Sequence, residues 1–421
     1  MFRMKMPRFD EIYRNIIVQS SGTILSQLIP VAVSPLLTRI YSPEQMGLYG
    51  LIVLVSALMA IVFALRIDHG VVVAPSDAAA AEIVSLSLVM ASASAAAFSV
   101  ASLAFILVVW GPGDGSFILA WVLLAPLAGF TASALRTLTL WNNRIKNFPK
   151  VSKSRIYRSL WTAAASIAAG MLQTGLILGL IAGNVLAALM LGRNLPFRAV
   201  GFRRAREIFV SLRDFVRFSV PADLINVASS RAPLLIFPVL FGLEQTGFLA
   251  LTYLVIATPT RFVGTAIGEV FYSHAAREYE SSGNCRASML KVVGLLAALG
   301  VPAFTILYLF ADYLFRTGFG VEWAPAAGFA KILIPMILVN FIVSPVSFVF
   351  YIAGRQKVDL VWQLVYLVAA VGSCYLGYWI GGTAVHSLLA LSATGTLMYL
   401  IYFVLVYRYA GVSRPPLDGV V

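Results

Sequence analysis

Apolar stretches of about 18 residues or more recur along this chain from one end to the other, and that feature constrains its fold more than any other. A helix needs about 20 apolar residues to cross roughly 30 Å of hydrocarbon, and within lipid only helices and closed barrels satisfy every backbone N–H and C=O. Barrel strands alternate polar and apolar residues, and this sequence does not. The expected class is therefore an all-α integral membrane protein. Composition agrees: of 421 residues, 60% are hydrophobic and 12% charged, about half the charged share of a typical soluble domain.

About twelve spans are expected. Those of the first half run Asn15 to Leu37, Gln45 to Leu65, Ala81 to Trp110, Phe117 to Thr139, Ile156 to Met171 and Gly175 to Leu191. The second half gives Phe215 to Phe241, Gln245 to Glu269, Met289 to Phe310, Ala326 to Ala353, Val358 to Trp379 and Ala384 to Tyr407. The first segment is too long, and with Gln19 and Gln27 too polar, for a cleaved signal peptide.

Net charge is +13, and its distribution carries the information. With the N-terminus placed in the cytoplasm, 26 of the 31 Lys and Arg fall on that side, which makes both termini cytoplasmic and removes any need for a nucleic-acid partner. The exceptions are Arg39, Arg231, Arg261, Arg316 and Lys331. Two cysteines, Cys285 in a connection and Cys374 inside a span, sit in different environments and predict neither a disulfide nor a metal pair.

The chain repeats itself at an offset of about 200 residues. Ser42 to Val55 reads SPEQMGLYGLIVLV and Gly242 to Val255 reads GLEQTGFLALTYLV, identical at 6 of 14 positions without a gap. Pro30 and Pro35 recur as Pro233 and Pro238. Six spans return the chain to its starting side, so the halves are expected to be parallel repeats, with a substrate site between them that is exposed alternately to each side. The organisation expected is a six-helix lobe over residues 1–196, a basic linker over 197–217 and a second six-helix lobe over 218–421. In the linker, Phe202, Ala205, Phe209, Leu212 and Val216 share one helical face and Arg203, Arg206, Arg213 and Arg217 another, as in a helix lying on an anionic leaflet. Plain topology determination by the positive-inside rule accounts for the same charges.

Polar groups within the spans are the candidate site. The first span turns Ser20, Thr23, Gln27 and Ser34 to one side, and the seventh carries Asp223, Asn226, Ser230 and Arg231. Arg231 stands ten residues before Phe241, about 15 Å into the membrane, where an unpaired arginine costs roughly 2.5–3.5 kcal/mol. Asp223 is a candidate partner for it and the candidate ion-coupling group. Arg261 lies about 12 Å inside the eighth span, within reach of the interface by snorkelling. Arg66 ends the second span beside Asp68, so pairing and anion binding are both open to it. The expected anion-binding set is Arg231, Arg66 and Arg261, with Gln27, Asn226 and Ser230 beside them. A guanidinium suits a diphosphate because its planar fork of donors keeps its charge. No Gly-rich phosphate loop is present, the run Gly111 to Gly115 reads as an external turn, and the three histidines lack metal spacing. No carboxylate pair is fixed at catalytic spacing. The chain is not expected to be an enzyme or to need a cofactor.

Certain motifs resemble those of the Wzx-type polysaccharide biosynthesis flippases, MATE-like members of the multidrug/oligosaccharidyl-lipid/polysaccharide exporter superfamily. They are Ser34-Pro35-Leu36-Leu37-Thr38-Arg39-Ile40-Tyr41-Ser42-Pro43-Glu44 with Gly47-Leu48-Tyr49, Leu65-Arg66-Ile67-Asp68 before Val71 to Pro75, Phe218-Ser219-Val220-Pro221, and Gly264 to Tyr272. The resemblance implies twelve helices in two lobes and a cationic cavity lined by the first, second, seventh and eighth. It also implies export of undecaprenyl-diphosphate-linked oligosaccharide across a bacterial inner membrane for surface polysaccharide. A polymerase and a chain-length regulator are the partners it brings. The resemblance implies an anion contact early in the eighth span, where relatives often carry a basic residue and this chain has Leu254; Arg261, two turns on, is the candidate substitute. The competing functions are a cation-coupled drug exporter of the same superfamily, which calls for buried carboxylates, and a membrane glycosyltransferase or polymerase, which calls for a large external loop.

Overall fold

A computed structural model describes residues 9–109, 120–193, 195 and 197–411, with side chains from Gly22 onward and, around the gap, up to 108 and again from 122. Asp114 and the Gly111–Gly115 run lie outside the described residues. The described chain is helical, without strands.

Its first half contains α1 (Phe9–Leu37), α2 (Pro43–Ala64), a short α3 (Gly70–Val73), α4 (Asp77–Val109), α5 (Ala125–Arg144), α6 (Phe148–Ala168), α7 (Gly175–Gly192) and α8 (Phe202–Ser211). The second contains α9 (Val220–Thr252), α10 (Thr258–Ser282), α11 (Arg286–Tyr313), α12 (Ala324–Val343), a short α13 (Val349–Ile352), α14 (Gln356–Gly381) and α15 (Ala384–Tyr409). Nine helical stretches among the described residues have the length and hydropathy of membrane spans. One of them, Phe215–Ser282, has 68 residues, about 100 Å of helix and too long for one crossing. It breaks at Gly242, where φ is 79° and ψ 179°, a conformation that glycine alone adopts without strain. Two spans result there. Gly22–Leu37 is a shorter apolar helix, and Phe148–Ala168 has the length of a span but is more polar.

The repeated block starts a helix in both halves. Ser42 caps α2 in a capping box, its hydroxyl accepting from the Gln45 N–H while the Gln45 side chain accepts from the Ser42 N–H, and Pro43 opens the first turn. At the equivalent place Gly242 breaks the helix and Glu244-Gln245 follow. From position 42 to 56 and from 242 to 256, the degree of burial coincides at 12 of 15 positions. One sequence pattern therefore buries the same helix face twice.

Two compact units are present, residues Met1–Val227 and Ala228–Val421. The division falls inside α9, ten residues beyond the end expected for the linker, because the start of α9 is held by the first unit. In that unit α6 packs against both α1 and α7. The approach to α7 is close: a Cβ on Gly179 would sit 2.0 Å from the Ser166 hydroxyl, and one on Gly183 2.0 Å from the Thr162 hydroxyl. Glycines four apart present a flat face on which a second backbone settles. In the second unit α14, α12 and α11 pack in series through α15 and α12, and α10 lies on the turn Ser344–Phe348. That turn interrupts the expected tenth span at Pro345.

Two expectations need correction. The linker helix α8 buries Ile208 and Leu212 in a cluster with Ile67, Val71, Val84, Leu138 and Trp141, while Phe202 is 89% exposed. Ala205 and Leu212 of the face expected to lie on the leaflet thus pack with Ile208 on the protein, and Phe202 and Phe209 of that face are exposed. The helix that carries the fifth span begins at Phe148, eight residues ahead of the expected start of the span. Lys150, Lys153, Arg155 and Arg158 had been assigned to a connection because positive charge normally stays outside lipid; Pro149 in the first turn starts the helix ahead of them.

Candidate functional site

Where α2 stops, Leu65 and Arg66 both take left-handed backbone conformations, with φ of 46° and 58°. Side chains other than glycine rarely do so, and two in succession turn the chain sharply. The turn brings Arg66 to the start of α9, where its Nε lies 2.5 Å from Asp223 Oδ2. Asp68, two residues on and fully buried, receives Arg136 of α5 at 2.7 Å, and the same guanidinium donates to the Ala60 carbonyl at 3.2 Å. Sequence had offered Asp68 to Arg66 and Asp223 to Arg231; the observed ion pairs are Arg66 with Asp223 and Arg136 with Asp68. Burial pushes the Asp68 carboxyl up to about 7, against the pull of the nearby Arg66 charge, and among the described residues its Oδ1 has no hydrogen-bond partner. Burial, followed by Arg66, lowers the pKa of His69, whose ring packs edge-on to Phe215. Farther along α5, Arg144 pairs with Asp77 at 2.9 Å and donates to the carbonyls of Val71, Val72 and Ala74.

Arg231 is half-buried and marks a break in α9, with φ −138° and ψ 21°. Pro233 supplies the cause, since it has no N–H to return to the preceding turn and its ring crowds that turn. Irregular backbone at membrane depth persists only where protein or water satisfies it. Ser229, buried one turn earlier, donates to the Gln363 carbonyl at 3.2 Å. Arg261 of α10 is exposed, as are Asn226 and Ser230, while Gln27 is half-buried on α1. Lys331 pairs with Asp312 at 2.5 Å.

Sequence reasoning passed over two features. On α6, Arg155 Nη1 donates to the Thr23 hydroxyl of α1 at 2.5 Å, and Ser159 donates to the Ser26 carbonyl at the same distance. Arg158 lies within charge range of the Tyr49 phenol of α2. The usable signal was acid-free sequence: from residue 115 to 206 there is no Asp or Glu to neutralise a cation. In the second unit Asp359 is buried; Tyr402 Oη donates to its Oδ1 at 2.5 Å and Gln363 Nε2 to its Oδ2 at 3.0 Å. Trp362 stacks on Tyr366 and Tyr402 beside it. No group of three metal-ligating side chains occurs among the described residues.

Long apolar spans, a repeated half and guanidinium groups at membrane depth meet their counterpart in a sequence profile described as polysaccharide biosynthesis protein, which matches residues 36–328. The chain belongs to this polysaccharide biosynthesis family. No curated protein matches it in sequence. Among solved structures, a lipid II flippase, MurJ, in an inward closed conformation superposes with a TM-score of 0.75 at 12% identity, over 93% of this chain and 87% of that one. An inward-facing multidrug resistance MATE transporter of the MOP superfamily gives 0.71 at 14% identity, over 94% and 98%. A MOP superfamily transporter from Pyrococcus furiosus, described as having a binding pocket of reverse polarity, gives 0.64 at 13%, over 94% and 95%. At such identities the likeness establishes the fold. This member of the polysaccharide biosynthesis family has the fold of MATE-type transporters.

Proposed function

We propose that this protein is a flippase that carries an undecaprenyl-diphosphate-linked oligosaccharide across a bacterial inner membrane, by alternating access, for surface polysaccharide synthesis. The observation that carries the reading is Arg231 at a proline-driven break in a membrane-spanning helix, in a chain of the polysaccharide biosynthesis family. A cation is costly there, and a diphosphate head is the cargo that offsets the cost. Arg231 and Arg261 bind the phosphates, and Gln27, Asn226 and Ser230 hydrogen-bond the head group or its water. Arg66, already paired with Asp223, contributes by holding the start of α9. The polyprenyl tail remains in lipid, an ion gradient or the membrane potential drives the cycle, and a polymerase and chain-length regulator take the product.

Arg231→Ala should abolish surface polymer in cells while leaving the protein inserted, and Arg231→Lys should restore part of it. Normal polymer from Arg231→Ala would remove Arg231 from the mechanism. A cation-coupled drug exporter is the second reading, favoured by buried Asp359 with only neutral hydrogen-bond donors on its oxygens. Drug resistance conferred on a sensitised host, with no effect on surface polymer, would decide for it.

A further inference from the structure

From the geometry of the first unit we propose a diphosphate-binding site formed by Arg155 and Arg158 of α6, with Thr23 of α1 and Tyr49 of α2 as neutral hydrogen-bonding neighbours. The proposal rests on the flippase reading and adds residues to it that the sequence motifs do not mark.

Depth comes first. Counted from Phe148, Arg155 stands about 10 Å and Arg158 about 15 Å along a 21-residue helix, so Arg158 is at the middle of α6. Both lie on the inward side. The exposed positions of α6 include Lys153, Tyr157, Leu160, Ala164 and Ile167, at the three-and-four spacing of a lipid face, together with Pro149, Trp161 and Ala168; Val151, Ser154, Arg155, Arg158, Thr162 and Ser166 are among the half-buried and buried ones. At 100° per residue, Arg158 points about 160° away from Leu160.

Charge comes second. No carboxylate among the described residues pairs with either arginine. On α1, α2, α5, α6 and α7 the described side chains include one acid, Glu44, exposed in the first turn of α2. A guanidinium carries five donors. Among the described residues, the hydrogen bond to Thr23 is the one Arg155 makes, and Arg158 makes none beyond its proximity to Tyr49.

Chemistry comes third. Residues three apart on a helix are neighbours, about 4.5 Å apart along the axis, and two forks at that spacing match two linked phosphates. The close packing of Gly183 under the Arg158 and Thr162 backbone fixes where the forks point.

The test uses full-length protein in nanodiscs of neutral lipid and three probes: undecaprenyl diphosphate, inorganic diphosphate, and phosphatidylglycerol as the ambient anionic headgroup. On the native protein, arginine modification by phenylglyoxal, read by mass spectrometry, should be slowed at Arg155 and Arg158 by undecaprenyl diphosphate and not by phosphatidylglycerol, with exposed Arg203 as the unprotected control. Arg158→Gln should weaken undecaprenyl diphosphate binding about tenfold and the Arg155→Gln/Arg158→Gln pair about a hundredfold; Arg158→Lys should keep part of the affinity. Protection equal with phosphatidylglycerol overturns the proposal in favour of a lipid headgroup site, and protection by inorganic diphosphate alone overturns it in favour of a free-anion site. Wild-type affinity in the folded double variant overturns it while leaving the flippase reading intact. Failure of the wild type to bind undecaprenyl diphosphate at all overturns both.

Discussion

The Asp68–Arg136 pair should behave as a buried, coupled unit, and its energetics follow from the geometry. Asp68 has no exposed side-chain surface and Arg136 has 25%. Removing one partner of a buried pair costs about 3–5 kcal/mol, because the other charge stays desolvated. Asp68→Ala should fall near the lower limit, about 3 kcal/mol, since the Arg136 guanidinium keeps the Ala60 carbonyl and some solvent. Arg136→Met is cheaper at neutral pH, about 1–2 kcal/mol, because a carboxyl whose pKa already stands near 7 escapes its charge by taking a proton. The double variant should cost little more than Arg136→Met, giving a coupling energy of about 2–3 kcal/mol. Reversible unfolding in mixed micelles, followed by tryptophan emission at pH 8, measures all four corners of the cycle. Glu82→Gln serves as a control, because the Arg204–Glu82 pair is half exposed and should change stability by less than about 1 kcal/mol. Additivity of the two single variants within about 0.5 kcal/mol would refute the claim that these groups are coupled.

The same carboxyl sets a pH dependence. Its folded pKa of about 7 lies above the ordinary 3.8, so the folded state binds the extra proton; the associated stability is present in full below about pH 4 and lost as pH rises through about 7. The stability difference between wild type and Asp68→Asn, followed from pH 4.5 to 8, should move against the wild type across that window, and parallel curves would show that Asp68 does not titrate there. Gly183→Ala should destabilise by about 1–3 kcal/mol, since its Cβ would meet Thr162 Oγ1 at 2.0 Å and the Arg158 carbonyl at 2.7 Å. Adding Thr162→Ala removes the first contact and not the second, so thermal unfolding should show partial recovery; full recovery would mean that the α6 backbone is not the obstacle.

Much of the fold was legible because the signals behind it are local. Apolar length, Pro43 after a capping serine and a glycine at position 242 report on their own neighbourhoods, and the repeat shows the same solution used twice. Pairing was not legible. Arg66 and Asp223 are distant in sequence, and a left-handed turn at Leu65 and Arg66, which nothing in those side chains announces, brings them together. The packing of α8 was hidden for a related reason: its apolar residues read as one face, but Ile67, Val71 and Trp141 of the same unit offer their surface to Ile208 and Leu212.

The start of α6 was misplaced by a rule that is sound for lipid-facing residues. Positive charge avoids hydrocarbon, yet an inward helix face is not in hydrocarbon, and the rule has no means of telling the two apart. Across the first unit, Arg66, Arg136, Arg144 and Arg204 meet Asp223, Asp68, Asp77 and Glu82. These acids lie at the ends of helices or in the turns between them. Arg155 and Arg158, within α6, meet none among the described residues. Unbalanced positive charge therefore sits at depth on an inward face, and it persists there only if something other than a protein carboxylate compensates it for part of the protein's cycle. On the proposed flippase reading, the anion that comes and goes is the cargo.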